Sequence, residues 1–141
     1  MTTQKVIIDS SVILKWLSND NEKYIDVADK ILQDAQKGKI ELLAPELAKY
    51  EVGNVLLYSK KLSPKQARII FNKFYNLPLS FILESEKLAN ETYNIASKLG
   101  ITYYDASFLS LAKQHEAILV TENIKHQGKT AEIKVISLAD Y

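Results

Sequence analysis

A chain of 141 residues, 47% hydrophobic and 25% charged, has the composition of a folded globular protein with room for one core, which excludes disordered and low-complexity classes. A formal net charge of +1 gives no whole-molecule attraction to nucleic acid, so any such function has to rest on local chemistry. Cysteine is absent, which excludes a disulfide framework and thiolate metal sites, leaves oxygen and histidine as metal ligands, and suits a reducing compartment.

Along the chain, short apolar runs alternate with longer helical patterns, the arrangement of βαβ units, and no linker-like or repeated segment interrupts them. One domain over residues 1–141 is therefore expected. Met1-Thr2-Thr3-Gln4-Lys5 leads straight into a strand, Lys5–Asp9, without the apolar run of a signal peptide. With no membrane-spanning stretch either, a cytoplasmic protein is expected. A helix follows near Ser11. Asp26 to Lys37 repeats Val27, Ala28, Ile31, Leu32 and Ala35 at helical spacing, and Gly38 is placed to end that helix. Ile40–Ala44 reads as a second strand, and helices are expected from about Glu46 to Lys60 and from Ser63-Pro64 to about Tyr75. Ser63 there is the cap and Pro64 the first helical residue. Two more helices run from Glu84 to Leu99, before Gly100, and from Asp105 to Gln114. Ala117–Thr121 is a third strand and Val135-Ile136 a shorter candidate. Strands this uniformly aliphatic suit a parallel sheet covered on both faces by helices.

Carboxylates that interrupt apolar surroundings are informative, because Asp and Glu are seldom buried without a partner or a metal. Asp9 closes the first strand, and ligands of open α/β sheets bind at the carboxyl ends of strands. Asp at that junction also serves as a helix cap. Glu51 stands four residues after Leu47 and four before Val55, on the inward stripe of its helix or at the margin of that stripe. Asn54, one turn on, is placed to hydrogen-bond and orient it. Asp105 opens the helix that carries Phe108, Leu109 and Ala112; it either shares their face or serves the helix dipole. Three carboxylates gathered at one sheet edge repel one another without a cation. All-oxygen ligands favour Mg2+ or Mn2+ over zinc or copper, with several waters retained on the ion.

Three segments together resemble the PIN-domain family. Val6-Ile7-Ile8-Asp9-Ser10-Ser11 is similar to its opening strand, aspartate and small hydroxyl residues. Glu51-Val52-Gly53-Asn54-Val55-Leu56 is similar to its E-x-x-N-x-L helix, and Tyr104-Asp105-Ala106 resembles its Y-D-A step. The order and spacing of the motifs cover nearly the whole chain. A fourth family segment usually reads Thr-x-Asp, whereas Thr121-Glu122-Asn123 puts an uncharged Asn123 at the acidic position with Glu122 beside it.

The resemblance implies a three-layer α/β/α fold around a central, mostly parallel sheet of four or five short strands. It also implies hydrolysis of RNA phosphodiester bonds by a metal-activated water, leaving a 5′-phosphate and a 3′-hydroxyl. Asp9 and Asp105 would be direct ligands of Mg2+ or Mn2+, with Glu51 acting through water, and Asn123 would accept from a metal-bound water. Ser10, Ser11 and Thr121 are supporting hydroxyls, or caps and turn residues. Proteins similar to VapC toxins of VapBC pairs work with a VapB-like antitoxin and commonly form homodimers, so both partners are implied. The basic stretch Lys60, Lys61, Lys65, Arg68 and Lys73, between Tyr58 and Tyr75, either docks RNA or is a solvated helix surface. Trp16, Phe71, Phe74 and Tyr75 either line an interface or pack the core, and His115 and His126 are expected at the surface.

Two other readings compete: a PIN-type RNA-binding or regulatory protein whose site does not turn over, which Asn123 raises, and a flavodoxin-like phosphoacceptor domain. The second normally needs extra acids where this chain has Ser10-Ser11.

Overall fold

The computed structural model describes residues 3–18, 23–122, 124 and 132–141. Strand β1 (Gln4–Ile8) leads into α1 (Ser10–Leu17) and α2 (Ile25–Gln36), then β2 (Ile40–Pro45), α3 (Leu47–Asn54), α4 (Pro64–Tyr75), β3 (Leu79–Ile82), α5 (Glu86–Leu99), α6 (Tyr103–Gln114), β4 (Ile118–Thr121) and β5 (Val135–Ser137). The five strands form one sheet in the order β3-β2-β1-β4-β5, and every neighbouring pair is parallel. Helices flank it: α6 packs on β1, β2 and β4, α1 on β4, and α2 on β2.

Local chemistry accounts for most boundaries. Ser63 and Gln66 form a reciprocal capping box with Pro64 in the first turn of α4. Ser85 caps α5 through the Leu88 amide, and Gly100 ends that helix in the left-handed region at φ 66°. Thr102 caps α6 by accepting from the Asp105 amide at 3.0 Å. Val6, Ile7 and Ile8 of β1 and Leu42 and Leu43 of β2 are buried, packed with Ile13, Ile31, Phe108 and Leu109 from the helices. Each such side chain contributes about 1.5–3 kcal/mol.

Three expectations need correction. Leu79–Ile82, not read as a strand, is β3 at the sheet edge, in register with Leu42–Pro45. The helix expected to run from Glu46 to Lys60 is α-helical only to Asn54 and continues as a π-helical turn, Val55–Ser59. His115 is half-buried rather than at the surface. Of the two roles open to the early aromatics, Trp16 and Phe74 take the core one, with the Trp16 indole donating to the Ala28 carbonyl at 2.7 Å, while Tyr75 is exposed.

Candidate active site

Sheet order reverses between β1 and β4. From β1 the chain adds β2 and β3 on one side, then returns to add β4 and β5 on the other. Such a switch point leaves a crevice beyond the carboxyl ends of the two strands. Asp9 follows the last residue of β1, and Thr121 is the last residue of β4. The two ends are laced together: the Asp9 amide donates to the Val120 carbonyl at 3.1 Å, and the Thr121 hydroxyl donates to Asp9 Oδ2 at 2.8 Å.

Asp9 occupies the N-cap position of α1, yet its side chain makes no capping hydrogen bond. Its Oδ2 instead accepts from the Ser11 and Thr121 hydroxyls, each at 2.8 Å, while the residue is only 8% exposed. Burial pushes the Asp9 carboxyl above its ordinary value; the two hydroxyls oppose that shift and the charge of Asp105 adds to it. Glu51, on α3, is half-buried and accepts from the Ser10 hydroxyl at 2.8 Å. Its carboxyl is raised too, first by burial and then by the negative charges of Asp9 and Asp105, with the Ser10 bond opposing. Asp105, half-buried in the first turn of α6, therefore lies within electrostatic reach of both other acids. Three elements distant in sequence bring like charges to one edge of the sheet.

Other expected residues fall differently. Asn54 is exposed, and the hydrogen bond to Glu51 comes from Ser10 on another helix rather than from Asn54. Glu122 pairs with Lys15 at 3.3 Å, and its amide donates to Ser11 Oγ at 3.3 Å. Lys61, Lys65 and Arg68 are exposed and Lys60 is half-buried. Asn123 and His126 lie outside the described residues. Lys15 was missed by sequence reasoning: its side chain is only 3% exposed, and its one available sign was a position four residues after Ser11 in an otherwise apolar helix.

The donor set fits a hard divalent cation. It is all oxygen, it is partly desolvated, and burial first and neighbouring negative charge second push the Asp9 and Glu51 carboxyls up, a shift that a cation offsets. Among the described residues, no three His, Asp or Glu side chains are gathered closely enough to cage an ion. That suits an ion held by one or two carboxylates and otherwise by water, the usual habit of Mg2+. No helix among the described residues is long and apolar enough to cross a membrane.

Comparison with known proteins sets this geometry in context. No curated protein sequence matches the chain. Among solved structures, PAE2754 from Pyrobaculum aerophilum superposes with a TM-score of 0.67 at 22% identity, over 99% of this chain and 94% of that one. VapBC2 from Rickettsia felis, bound to a DNA fragment from its promoter, gives 0.74 at 16% identity over 95% and 98%. VapC20 from Mycobacterium tuberculosis, a toxin that cleaves the sarcin-ricin loop, gives 0.60 at 10% identity over 81% and 86%. At these identities the similarity is one of fold. The family model for the PIN domain matches residues 6–132, a span that contains Asp9, Glu51 and Asp105, and the chain belongs to the PIN domain family.

Proposed function

We propose that this PIN domain, a single unit over residues 1–141, is a metal-dependent endoribonuclease that acts as the VapC-like toxin of a toxin–antitoxin pair. The observation that carries the reading is the buried Asp9 carboxylate, fixed by Ser11 and Thr121 and electrostatically coupled to Glu51 and Asp105. Such a cluster is costly in an empty protein and becomes favourable around a cation. The toxin assignment draws on fold similarity to VapBC2 and VapC20. It implies a VapB-like antitoxin, a homodimer and action in the cytoplasm.

Asp9 and Asp105 would hold Mg2+ or Mn2+, with Glu51 reaching it through water. The ion supplies Lewis acidity and offsets charge developing on the scissile phosphate. The Ser11 and Thr121 hydroxyls fix Asp9 through Oδ2. The Ser10 hydroxyl orients Glu51, whose raised pKa makes it a better proton acceptor than an ordinary glutamate. Glu51 positions the attacking water and takes its proton; the water oxygen bonds to phosphorus as the bond to the 3′-oxygen breaks. The products carry a 5′-phosphate and a 3′-hydroxyl. Lys15 draws Glu122 to itself, and the next residue in sequence, Asn123, brings an acceptor without a charge.

The deciding experiment incubates purified protein with mixed cellular RNA, with and without Mg2+ or Mn2+, beside Asp9→Asn and Asp105→Asn. Cleavage is expected only for the wild type with metal, and cleavage surviving EDTA removes the mechanism. The uncharged Asn123, at the position the family usually fills with an acid, favours a second reading, a PIN-type RNA-binding regulator that does not turn over. RNA binding without cleavage under every metal condition selects it.

A further inference from the structure

The helices that carry Glu51 and Asp105 also wall a cavity of about 260 Å³, lined by Leu47 and Tyr50 of α3, Ile82 of β3, Glu84, and Tyr103 and Tyr104 of α6. That is smaller than a drug-sized pocket and suited to one planar ring system. Its place is set by the same two helices that carry the acids: Tyr50 immediately precedes Glu51, and Tyr104 immediately precedes Asp105. Consecutive Cα atoms are about 3.8 Å apart, so a group seated in the cavity lies within a nucleotide or two of a phosphate held by the carboxylates.

The lining has two chemical parts. Tyr50 is 71% exposed and Tyr104 59%, although large aromatic side chains ordinarily bury their faces. Both leave ring surface open to solvent at the rim. Glu84, also in the lining, accepts through Oε1 from the Tyr103 hydroxyl at 2.6 Å. Burial first, and then Glu84, push the Tyr103 phenol up to about 12, so it remains a donor at neutral pH. A carboxylate offers about four lone-pair sites, so Glu84 keeps capacity for a second donor after Tyr103 is satisfied. The other acid at the rim, Glu46, is already paired with Lys49 at 3.1 Å.

We propose that this cavity binds one unstacked base of the RNA strand next to the scissile phosphate, with Tyr104 and Tyr50 stacking on it and Glu84 accepting from its exocyclic amine. The proposal rests on the ribonuclease reading and names the substrate feature that the same site reads. Adenine, cytosine and guanine carry an exocyclic amine that can donate to Glu84, whereas uracil has none and its one N3–H lies between two carbonyl oxygens that a carboxylate repels. Stacking makes the site favour single strands and loops over duplex. A protein side chain would use the apolar wall but has no need of the Glu84 acceptor that shares the cavity with two exposed tyrosine rings, so the base is the better occupant.

The test uses the full-length Asp9→Asn protein, which leaves RNA intact, and fluorescence anisotropy with 5′-labelled hexamers rA6, rC6 and rU6 in Mg2+. We expect rA6 and rC6 to bind about tenfold more tightly than rU6. Adding Tyr104→Ala should weaken them about tenfold, the scale of losing one stacked base. Tyr104→Phe should retain binding, and Glu84→Gln should bring the three hexamers within about twofold of one another. Tyr104 is largely exposed, so its truncation leaves the fold intact, and a thermal melt checks this. Equal affinity for all three hexamers, binding to none, or indifference to Tyr104→Ala overturns the proposal. So does a Tyr104→Ala protein that keeps RNA affinity while escaping a co-expressed antitoxin, because the cavity then serves a protein partner. The ribonuclease reading fails separately, if the wild type cleaves nothing while the hexamer preference stands.

Discussion

The Ser10 hydroxyl donates to Glu51 Oε1 at 2.8 Å across 41 positions of sequence, tying the first turn of α1 to the middle of α3. Ser10 thereby fixes the direction of a carboxylate whose charge the site itself disfavours. Ser10→Ala is expected to lower cleavage roughly 10- to 100-fold, the usual penalty for losing the partner of a site carboxylate. The fold should lose only about 1 kcal/mol. A cleavage assay titrated with Mg2+, paired with a urea melt, separates the two effects, and unchanged activity would release Glu51 from its role.

Asp9→Asn should abolish cleavage and raise the melting temperature of the metal-free protein at any pH above the folded pKa of Asp9. Burial raises the Asp9 pKa, so folding favours its protonated form. The stability associated with that proton is present below the ordinary carboxylate range and is lost as pH rises through the folded value. Above the folded pKa the protein carries a buried charge that the amide lacks, while an amide oxygen still accepts from Ser11 and Thr121. Adding Mg2+ at 100 times its Kd should stabilise the wild type by about 2.7 kcal/mol and leave the variant unmoved. Scanning calorimetry with and without Mg2+ checks both statements.

Thr92 and Ser110 join α5 to α6 by a buried hydroxyl–hydroxyl hydrogen bond, with Thr92 also donating to the Leu88 carbonyl at 2.8 Å. Ser110→Ala leaves a buried hydroxyl short of a partner and should cost about 1–3 kcal/mol. The double variant with Thr92→Val should cost less than the sum of the single changes. Additive costs in a double-mutant cycle would show that the pair is not coupled.

Tyr141 donates to Asp34 Oδ2 at 2.9 Å, and that bond first, followed by the charge of Lys30, holds the Asp34 carboxyl below its ordinary value. Burial and the same bond push the Tyr141 phenol up to about 12. The Asp34 contribution to stability is present above its unfolded pKa of about 3.9 and disappears as pH falls through the lower folded value. The Tyr141 contribution is present below about pH 10 and disappears as pH rises through the folded value. Tyr141→Phe should lower the melting temperature at neutral pH and flatten both limbs, and a profile unchanged at either extreme would contradict the pairing.

Much of this architecture is legible in the chain because burial writes it plainly. Val6-Ile7-Ile8 and Ile118-Leu119-Val120 are aliphatic throughout since both sheet faces are covered, and Asp9 is conspicuous because it ends such a run. Glu51 and Asp105 show through their spacing against apolar neighbours. Leu79–Ile82 does not, because it is short, follows Pro78, contains a serine and lies at the sheet edge; pairing with β2 makes it a strand. Neither the π-helical turn after Asn54 nor the choice of Ser10 over Asn54 as the partner of Glu51 has a local cause, since both depend on how α1 and α3 meet.

Asp9 also stands at the end of the sheet's middle strand, with two strands on either side. Amide exchange and fraying begin at edges and loops and reach a central strand only when the whole sheet parts. Heat should therefore silence the chemistry together with the cooperative melt rather than ahead of it, so that a half-loosened molecule keeps its anion-bearing corner intact until the end.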